Sequence, residues 1–248
     1  MYTKQHLMKQ LNDIGVDPKG TLKVHLSYHA IGDVQGRGDT VLDALSEYMK
    51  DGLLVLPSHS WRNVGTDNPV CDMLHTPSCV GKLTDLFRQR PGVIRSHHPT
   101  HSVAALGHDA AAFVAGEEKL NTPCGKGGVY YKLWERDAQI LLIGVNFSRN
   151  TYIHGIEEWE GAVGTISPNK TDLYVISREG GRFYTPQFRH CARVGSYTFT
   201  KLEPQALNEG IMTLGKFGNA TTRLMCAKAL RDMTAPHLHQ DPNYLTDY

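Results

Sequence analysis

The sequence has no long apolar run, no excess of either charge and few cysteines, and each absence excludes a class of protein. No apolar run approaches the roughly 20 residues that a membrane-spanning helix needs. The 26 Lys and Arg residues balance the 25 Asp and Glu residues, which argues against a general nucleic-acid binder and a disordered acidic segment. The five cysteines are odd in number and widely spaced, and the N-terminus lacks the apolar core of a signal peptide. We therefore expect a cytoplasmic protein with reduced thiols.

Strand-like and helix-like segments alternate over residues 1–160. Apolar residues at helical spacing predict a helix over Lys4–Ile14, whereas Leu53–Pro57 and Gln139–Val145 have the continuous apolar character of buried strands. Such alternation is typical of an α/β sheet covered by helices on both faces.

The pattern changes after residue 164. Tyr, Val and Ile then alternate with polar residues on either side of Gly180-Gly181, which predicts a hairpin. Residues 203–234 are expected to form helices.

Thr151, His154, Glu157 and Glu158 lie on one predicted helix that follows a buried strand. His154 comes three or four residues before the two glutamates, so either carboxylate can reach one ring nitrogen. The other ring nitrogen is then free to accept a proton, as a general base does. The spacing alone does not show which of Glu157 and Glu158 contacts His154. It is equally consistent with a surface histidine in an ordinary acidic helix turn that has no catalytic role.

Three imidazoles in the segment 97–101 suggest a metal site. Pro99 makes this segment extended, so the rings need not converge, and the chain has neither an HExxH nor a CxxC motif. We therefore expect no metal ion. Arg95 and Ser102, which flank the segment, can instead hold a phosphate- or amide-bearing ligand.

Two glycine-rich loops and three potential nucleophiles, Ser58, Ser60 and Cys124, lack the contexts that known motifs require. The loop 32–38 lacks the glycine spacing of a dinucleotide fingerprint, and the loop 125–128 lacks the Ser or Thr that follows Lys in a P-loop. The segment 58–60 lies outside any G-x-S-x-G context, and Cys124 needs a distant histidine to act. Plain turns and an inert buried thiol explain these segments equally well.

Five segments resemble, in order, the sequence blocks of the aminoglycoside 3-N-acetyltransferase family, which are antibiotic N-acetyltransferases that use acetyl-CoA. The segments are Val24–Ser27 with Gly32 and Asp43–Leu45, Gly52–Pro57, Arg95–Ala105, Leu141–Gly144 with Thr151–Glu157, and Gly218–Ala220. The segments extend over most of the chain. The resemblance rests on all five occurring in the same order as in the family, and no single segment is decisive.

The resemblance implies a single domain, residues 1–248, with a central mixed sheet and helices on both faces. It implies acetyl transfer from acetyl-CoA to an amine in a ternary complex. His154 would be the base, Glu157 would orient it, and Thr151 would donate to the thioester oxygen. The residues that would hold the pantetheine arm of acetyl-CoA are Ser27, Tyr28, His29, Ala30, Ile31, Gly32, Ser102 and Val103. This chemistry requires a base and no metal ion.

The chain departs from the family at two places. Gly128-Val129 stands where many relatives carry Ser-Pro, which puts a polar contact to the ligand in doubt. Leu26 stands in the middle of a family His-Ser-Ser segment, which removes one hydroxyl from the expected CoA loop.

A polycationic acceptor needs acidic groups, and the sequence offers Glu158 beside the base together with Asp67 and Asp72 in the irregular segment 58–81. The expected acceptor is the 3-amino group of a 2-deoxystreptamine aminoglycoside. We expect a monomer or homodimer with no nucleic-acid or membrane partner. The alternatives are acetylation of a different small amine, a non-catalytic CoA-binding protein, and loop acids that are merely solvated.

Overall fold

The computed structural model describes residues 1–191 and 196–246. The helices are α1 Lys4–Ile14, α2 Tyr28–Ile31, α3 Arg37–Tyr48, α4 Lys82–Phe87, α5 Ala110–Val114, α6 Val129–Glu135, α7 Thr151–Glu160, α8 Glu203–Asn208 and α9 Ala227–Gln240. The strands are β1 Thr21–Leu26, β2 Leu53–Pro57, β3 Val70–Asp72, β4 Ile94–Arg95, β5 Val103–Gly107, β6 Gln139–Ile143, β7 Ile166–Thr171, β8 Tyr174–Ile176, β9 Arg182–Tyr184, β10 Gln187–His190, β11 Met212–Phe217 and β12 Ala220–Cys226.

Seven of the described strands form one mixed sheet in the order β11-β12-β6-β1-β2-β5-β4. The central strands β6, β1 and β2 are parallel, and the strands on either side pair antiparallel. The carboxyl ends of β1 and β6 therefore meet at one edge of the sheet, where the amide of Ser27 donates to the carbonyl of Ile143 across 2.9 Å. The predicted mixed sheet is confirmed.

The two faces of the sheet pack against different helices, as predicted. Leu22 and Val24 of β1 face a core that also contains the apolar residues of α1, α3 and α4. The opposite face packs against α5, α6, α7 and α9. On that second face β1 contributes Lys23 and His25, which are both buried.

The helices predicted in residues 203–234 are present at both ends of this region as α8 and the start of α9, but the hairpin of β11 and β12 lies between them and was not predicted. β11 lies at the edge of the sheet. Several consecutive residues in it are exposed or half-buried, so apolar and polar residues do not alternate as they do in a half-buried strand. Gly218 in the turn has a φ of +60°, and a Cβ there would lie 2.3 Å from the carbonyl oxygen of Ile31. The turn therefore packs directly against α2.

Two small sheets lie outside the main one. β8 and β9 form the hairpin predicted at Gly180-Gly181, and β3 pairs parallel with β8. β7 and β10 form an antiparallel pair. The irregular segment 58–81 thus contributes one strand, and β10 carries His190 to the functional site described below.

None of the described helices is long and apolar enough to cross a membrane. All five cysteine side chains are free thiols in this structure. The cytoplasmic location stays a prediction.

Candidate functional site

The site is built at the carboxyl edge of β6, where the chain passes into α7. Gly144 ends the strand with a φ of +65°, and a Cβ at this position would lie 2.3 Å from the Cβ of Ala30. A glycine is therefore required for β6 and α2 to approach each other. A short 3₁₀ turn over Phe147–Arg149 follows, held by the side chain of Asn146, which accepts from the amide of Ser148 at 3.1 Å. α7 then begins at Thr151.

His154 and Glu157 form a hydrogen-bonded pair on α7. His154 Nδ1 lies 2.7 Å from Glu157 Oε2. The Glu157 side chain is fully buried, whereas 14% of the His154 side chain is exposed. A carboxylate can only accept, so Nδ1 carries the proton and Nε2 carries the lone pair. Within residues 1–191 and 196–246 Nε2 makes no hydrogen bond, which leaves it open to a substrate. The geometry selects Glu157 as the partner of His154, while its catalytic role stays a prediction.

Two side chains that the sequence did not suggest enclose the His154 ring. The His190 ring centroid lies 4.4 Å away, and Phe199 packs at 4.7 Å in a nearly perpendicular orientation. Burial, with a further contribution from His154, lowers the pKa of His190 well below its ordinary value. Both residues come from segments far from α7 in the chain, so no local spacing could have revealed them.

Glu158 does not face the same way as Glu157. Its Oε1 accepts from the amide of Cys124 and contacts His190 Nε2, each at 2.9 Å. Only 5% of its side chain is exposed, and burial raises its pKa to about 7. A buried carboxyl with two internal partners is less suited to attract a polycation than the sequence suggested.

The two other predicted acids lie in the segment 58–81. Asp67 is exposed. Asp72 accepts from the amides of Leu74 and His75 and pairs with the His75 ring at 3.0 Å. Asp72 thus stabilises a turn in its own loop, and the contribution of either residue to acceptor binding stays a prediction.

The imidazoles of segment 97–101 do not converge on one point. His97 stacks on Phe183. His98 Nδ1 accepts from the amides of Thr100 and His101, and its Nε2 faces the Thr122 carbonyl at 3.2 Å. The extended conformation predicted around Pro99 is wrong, because residues 99–101 form a turn that the His98 ring holds through these two amides. The rings are nevertheless separated, with the His98 and His101 centroids 6.0 Å apart.

A line of buried rings continues inward from the His154 pair. His101 lies 4.9 Å from His190, and His59 lies 4.9 Å from His101. His59 Nε2 contacts the Tyr130 hydroxyl at 2.7 Å. Burial lowers the pKa of both His59 and His101, so these imidazoles are neutral.

Thr151, the predicted donor to the thioester oxygen, is the first residue of α7 and is half-buried. It precedes His154 by three residues, which places both on the same side of the helix. Its side chain also interacts with the hydroxyl of Tyr130.

The two segments expected to hold acetyl-CoA have different surroundings. Ala30 lines a pocket of about 570 Å³ at the carboxyl edge of the sheet. The other lining residues are Gly144, Val145, Asn146, Ser148, Arg149, Asn219, Ala220, Thr221 and Arg223. Ser102 and Val103 are instead fully buried, and Ser102 Oγ donates to the Ser58 carbonyl at 2.7 Å and accepts from Arg95 Nε at 3.0 Å. Arg95 and Ser102 thus bind each other, and the predicted contact of Ser102 and Val103 with acetyl-CoA stays a prediction.

Glu117 explains why a glycine stands at position 128. Its Oε1 accepts from the amide of Val129 at 2.8 Å and so caps α6. A Cβ on Gly128 would lie 2.6 Å from that same oxygen and 2.4 Å from Leu120 Cδ1. The polar group at this turn is therefore the buried Glu117 carboxyl, whose pKa burial raises to about 7.

A family model described as aminoglycoside 3-N-acetyltransferase matches residues 24–239. The chain belongs to the aminoglycoside 3-N-acetyltransferase family. Among curated members, it is 28% identical over 244 residues to the aminoglycoside N(3')-acetyltransferase-like protein YokD of Bacillus subtilis, covering 90% of this chain and 87% of that protein. It is 31% identical to aminoglycoside N(3)-acetyltransferase IV of a Salmonella species, over 62% of this chain and 58% of that enzyme.

Solved structures of family members share the fold. A variant of AAC(3)-IVa in complex with a gentamicin matches with a TM-score of 0.85 at 25% identity, covering 100% of this chain and 92% of its own. AAC-IIIb in binary complex with CoASH matches with a TM-score of 0.84 at 21% identity, covering 96% and 97% of the two chains. The α/β architecture is therefore that of the family.

Proposed function

We propose that this protein transfers the acetyl group of acetyl-CoA to the 3-amino group of a 2-deoxystreptamine aminoglycoside, with both substrates bound at once. The observation that carries the proposal is the His154–Glu157 pair, in which Nδ1 is bound by a buried carboxylate and Nε2 is open. Family members bound to CoASH and to a gentamicin support both substrate classes.

His154, Glu157 and Thr151 have separate roles in the reaction. A protonated amine has no lone pair to attack with, so its free base enters the reaction and must lose another proton as the C–N bond forms. His154 Nε2 takes that proton, and the Glu157 carboxylate stabilises the resulting imidazolium. The C–S bond then breaks, and the proton passes from His154 to the sulfur of CoA. Thr151 donates a hydrogen bond to the thioester oxygen, where negative charge develops.

The pocket at the sheet edge suits acetyl-CoA in place and charge. Ala30, from the segment expected to hold the pantetheine arm, and Gly144 both lie in its lining. Arg149 lies in its lining, is exposed, and makes no hydrogen bond through its guanidinium within the described parts of the chain. We assign Arg149 to the phosphates of CoA, because a guanidinium binds phosphate oxygens in a bidentate manner.

A second candidate acceptor is a small amine that carries fewer positive charges. The observation that favours it is the burial of Glu158 and the pairing of Asp72 with His75, which together remove two of the acids expected to attract a polycation.

Mass spectrometry of acetyl transfer to a panel of acceptors tests the proposal. The panel contains gentamicin-type and apramycin-type aminoglycosides and a simple monoamine, with a 3-N-acetylated aminoglycoside as the matched control. We expect one acetyl group at the 3-amino position and no reaction of the control. Aminoglycoside turnover no faster than in buffer would contradict the proposal, and transfer to the monoamine alone would establish the second candidate.

A further inference from the structure

Cys124, Glu158 and His190 bring a thiol, a carboxylate and an imidazole together beside the His154–Glu157 pair. One potential ligand atom from each residue lies within 4.8 Å of the other two. The residues come from the loop before α6, from α7 and from β10, so only the tertiary fold assembles them. Cys124 is fully enclosed, and 14% of the His190 side chain is exposed, which leaves an approach from the surface.

The three residues are held in place by further contacts. Glu158 Oε1 contacts both the amide of Cys124 and the ring of His190 at 2.9 Å. Trp159 Nε1 donates to the carbonyl of Cys124 at 2.7 Å, which attaches the loop to α7 a second time. The backbone positions of the thiol and the carboxylate are thus fixed before any ligand arrives.

We propose that Cys124, Glu158 and His190 bind a thiophilic divalent ion of the zinc type. One sulfur, one nitrogen and one oxygen ligand form the set of three that zinc accepts when a fourth position stays open to solvent or another ligand. Tetrahedral coordination with bonds of about 2.0–2.3 Å places ligand atoms about 3.3–3.8 Å from one another. The 2.9 Å contact between Glu158 Oε1 and His190 Nε2 must therefore widen, and a separation near the 4.8 Å limit must close by about 1 Å. Cys124 binds as the thiolate and releases one proton to solvent.

Such an ion would oppose the reaction proposed for His154. The His190 ring lies 4.4 Å from the His154 ring, so a divalent charge on His190 disfavours the imidazolium that forms when His154 takes the proton of the amine. This consequence rests on the proposed function, whereas the ion site itself does not. The ion takes no part in the transfer, which agrees with the expectation that the chemistry needs no metal.

Cobalt binding by the full-length protein tests the site without any assay of activity. Co²⁺ coordinated by a thiolate gives a sulfur-to-metal charge-transfer absorption in the near ultraviolet. We expect one equivalent to bind to the wild type and to Cys226→Ala, a control that removes a partly exposed thiol outside the cluster. Cys124→Ser should abolish the absorption band and weaken binding roughly tenfold or more.

Two results would overturn the site. One is a wild-type protein that binds no Co²⁺ at micromolar concentration, and the other is a charge-transfer band that survives in Cys124→Ser. Glu158→Gln is the second variant if Cys124→Ser does not fold, and we expect it to weaken Co²⁺ binding by a similar factor.

A zinc titration of acetyl transfer tests the consequence. We expect the same Zn²⁺ concentration to inhibit the wild type and Cys226→Ala. Cys124→Ser should need a roughly tenfold higher Zn²⁺ concentration for the same inhibition. Full transfer by zinc-loaded wild type would refute the inhibition. If no acceptor is acetylated by any form, the proposed function fails, and the cobalt result still decides the site.

Discussion

Neighbouring glutamates on α7 have different partners, although they differ by a single position. Glu157 binds His154 Nδ1, while Glu158 turns about 100° around the helix towards Cys124 and His190. One carboxylate thereby fixes the tautomer of the proposed base, and the other joins the loop before α6 to β10.

Replacing Glu157 with Gln tests the first of these roles. The amide keeps the size of the side chain but cannot stabilise an imidazolium, so we expect kcat to fall roughly 10- to 100-fold with little change in the KM for acetyl-CoA. Steady-state kinetics measures this split. Glu160→Gln, which removes a carboxylate from the same helix, is the matched control, because Glu160 pairs with Arg231 and His239. A wild-type kcat in Glu157→Gln would contradict the role of Glu157.

The sequence could identify the His154–Glu157 pair but not its surroundings. A helix turn places residues three apart side by side, so local spacing and the family resemblance together name the pair. His190 and Phe199 reach His154 only because β10 and the 3₁₀ turn Ser196–Leu202 pack beside α7. Contacts between distant segments leave no periodic signal in the sequence.

At the scale of secondary structure, the junction of β6 and α2 shapes the pocket assigned to acetyl-CoA. Gly144 allows the contact with Ala30, and Gly218 allows the turn of the β11–β12 hairpin to lie against Ile31. The loop predicted over residues 27–32 is thus a single helical turn held between two glycines of other elements.

Gly144→Ala tests this junction against Gly161→Ala. Both glycines have positive φ, so either substitution costs about 1–2 kcal/mol. A Cβ on residue 144 would also lie 2.3 Å from the Cβ of Ala30, whereas a Cβ on residue 161 would have no atom within 4 Å. We expect Gly144→Ala to lose about 1–3 kcal/mol more in unfolding experiments and to raise the KM for acetyl-CoA. Equal stability and equal KM in the two variants would show that the close approach has no role.

The hydrophobic pattern of the sequence predicted the buried strands correctly but did not predict β11, which lies at the edge of the sheet. β2 and β6 have continuous apolar residues because helices cover both of their faces. β11 lies at the edge with Thr213, Leu214 and Lys216 exposed, so its pattern resembles that of a loop or helix. The Gly218-Asn219 pair between two short runs was the available hairpin signal.

Five histidines from different parts of the fold have pKa values lowered chiefly by burial, and His190 beside His154 is one of them. Burial lowers the pKa of His25, His59 and His101 well below the ordinary value and lowers that of His98 from 6.5 to about 4. The unfolded chain binds protons at these positions near pH 6 and the folded protein does not. Stability is therefore present above pH 6.5 and is lost as the pH falls towards 4.

We expect the free energy of unfolding to decrease steadily between pH 6.5 and 4, with His98 alone accounting for about 3 kcal/mol. Glu117 and Glu158 act in the opposite direction, because burial raises the pKa of each to about 7, and the five imidazoles outweigh them. Denaturant titrations across this range measure the slope. His98→Gln should flatten the slope and His108→Gln, which removes an exposed imidazole, should not. An unchanged slope in His98→Gln would contradict this explanation.

In the proposed mechanism, His154 removes the proton from the attacking amine. The most direct measurement is kcat/KM of His154→Ala with acetyl-CoA and the best acceptor of the panel, beside calorimetric binding of acetyl-CoA to the same variant. We predict a loss of roughly 100-fold or more in kcat/KM with unchanged acetyl-CoA affinity, because only proton removal is lost. Transfer by His154→Ala at the wild-type rate would contradict the mechanism.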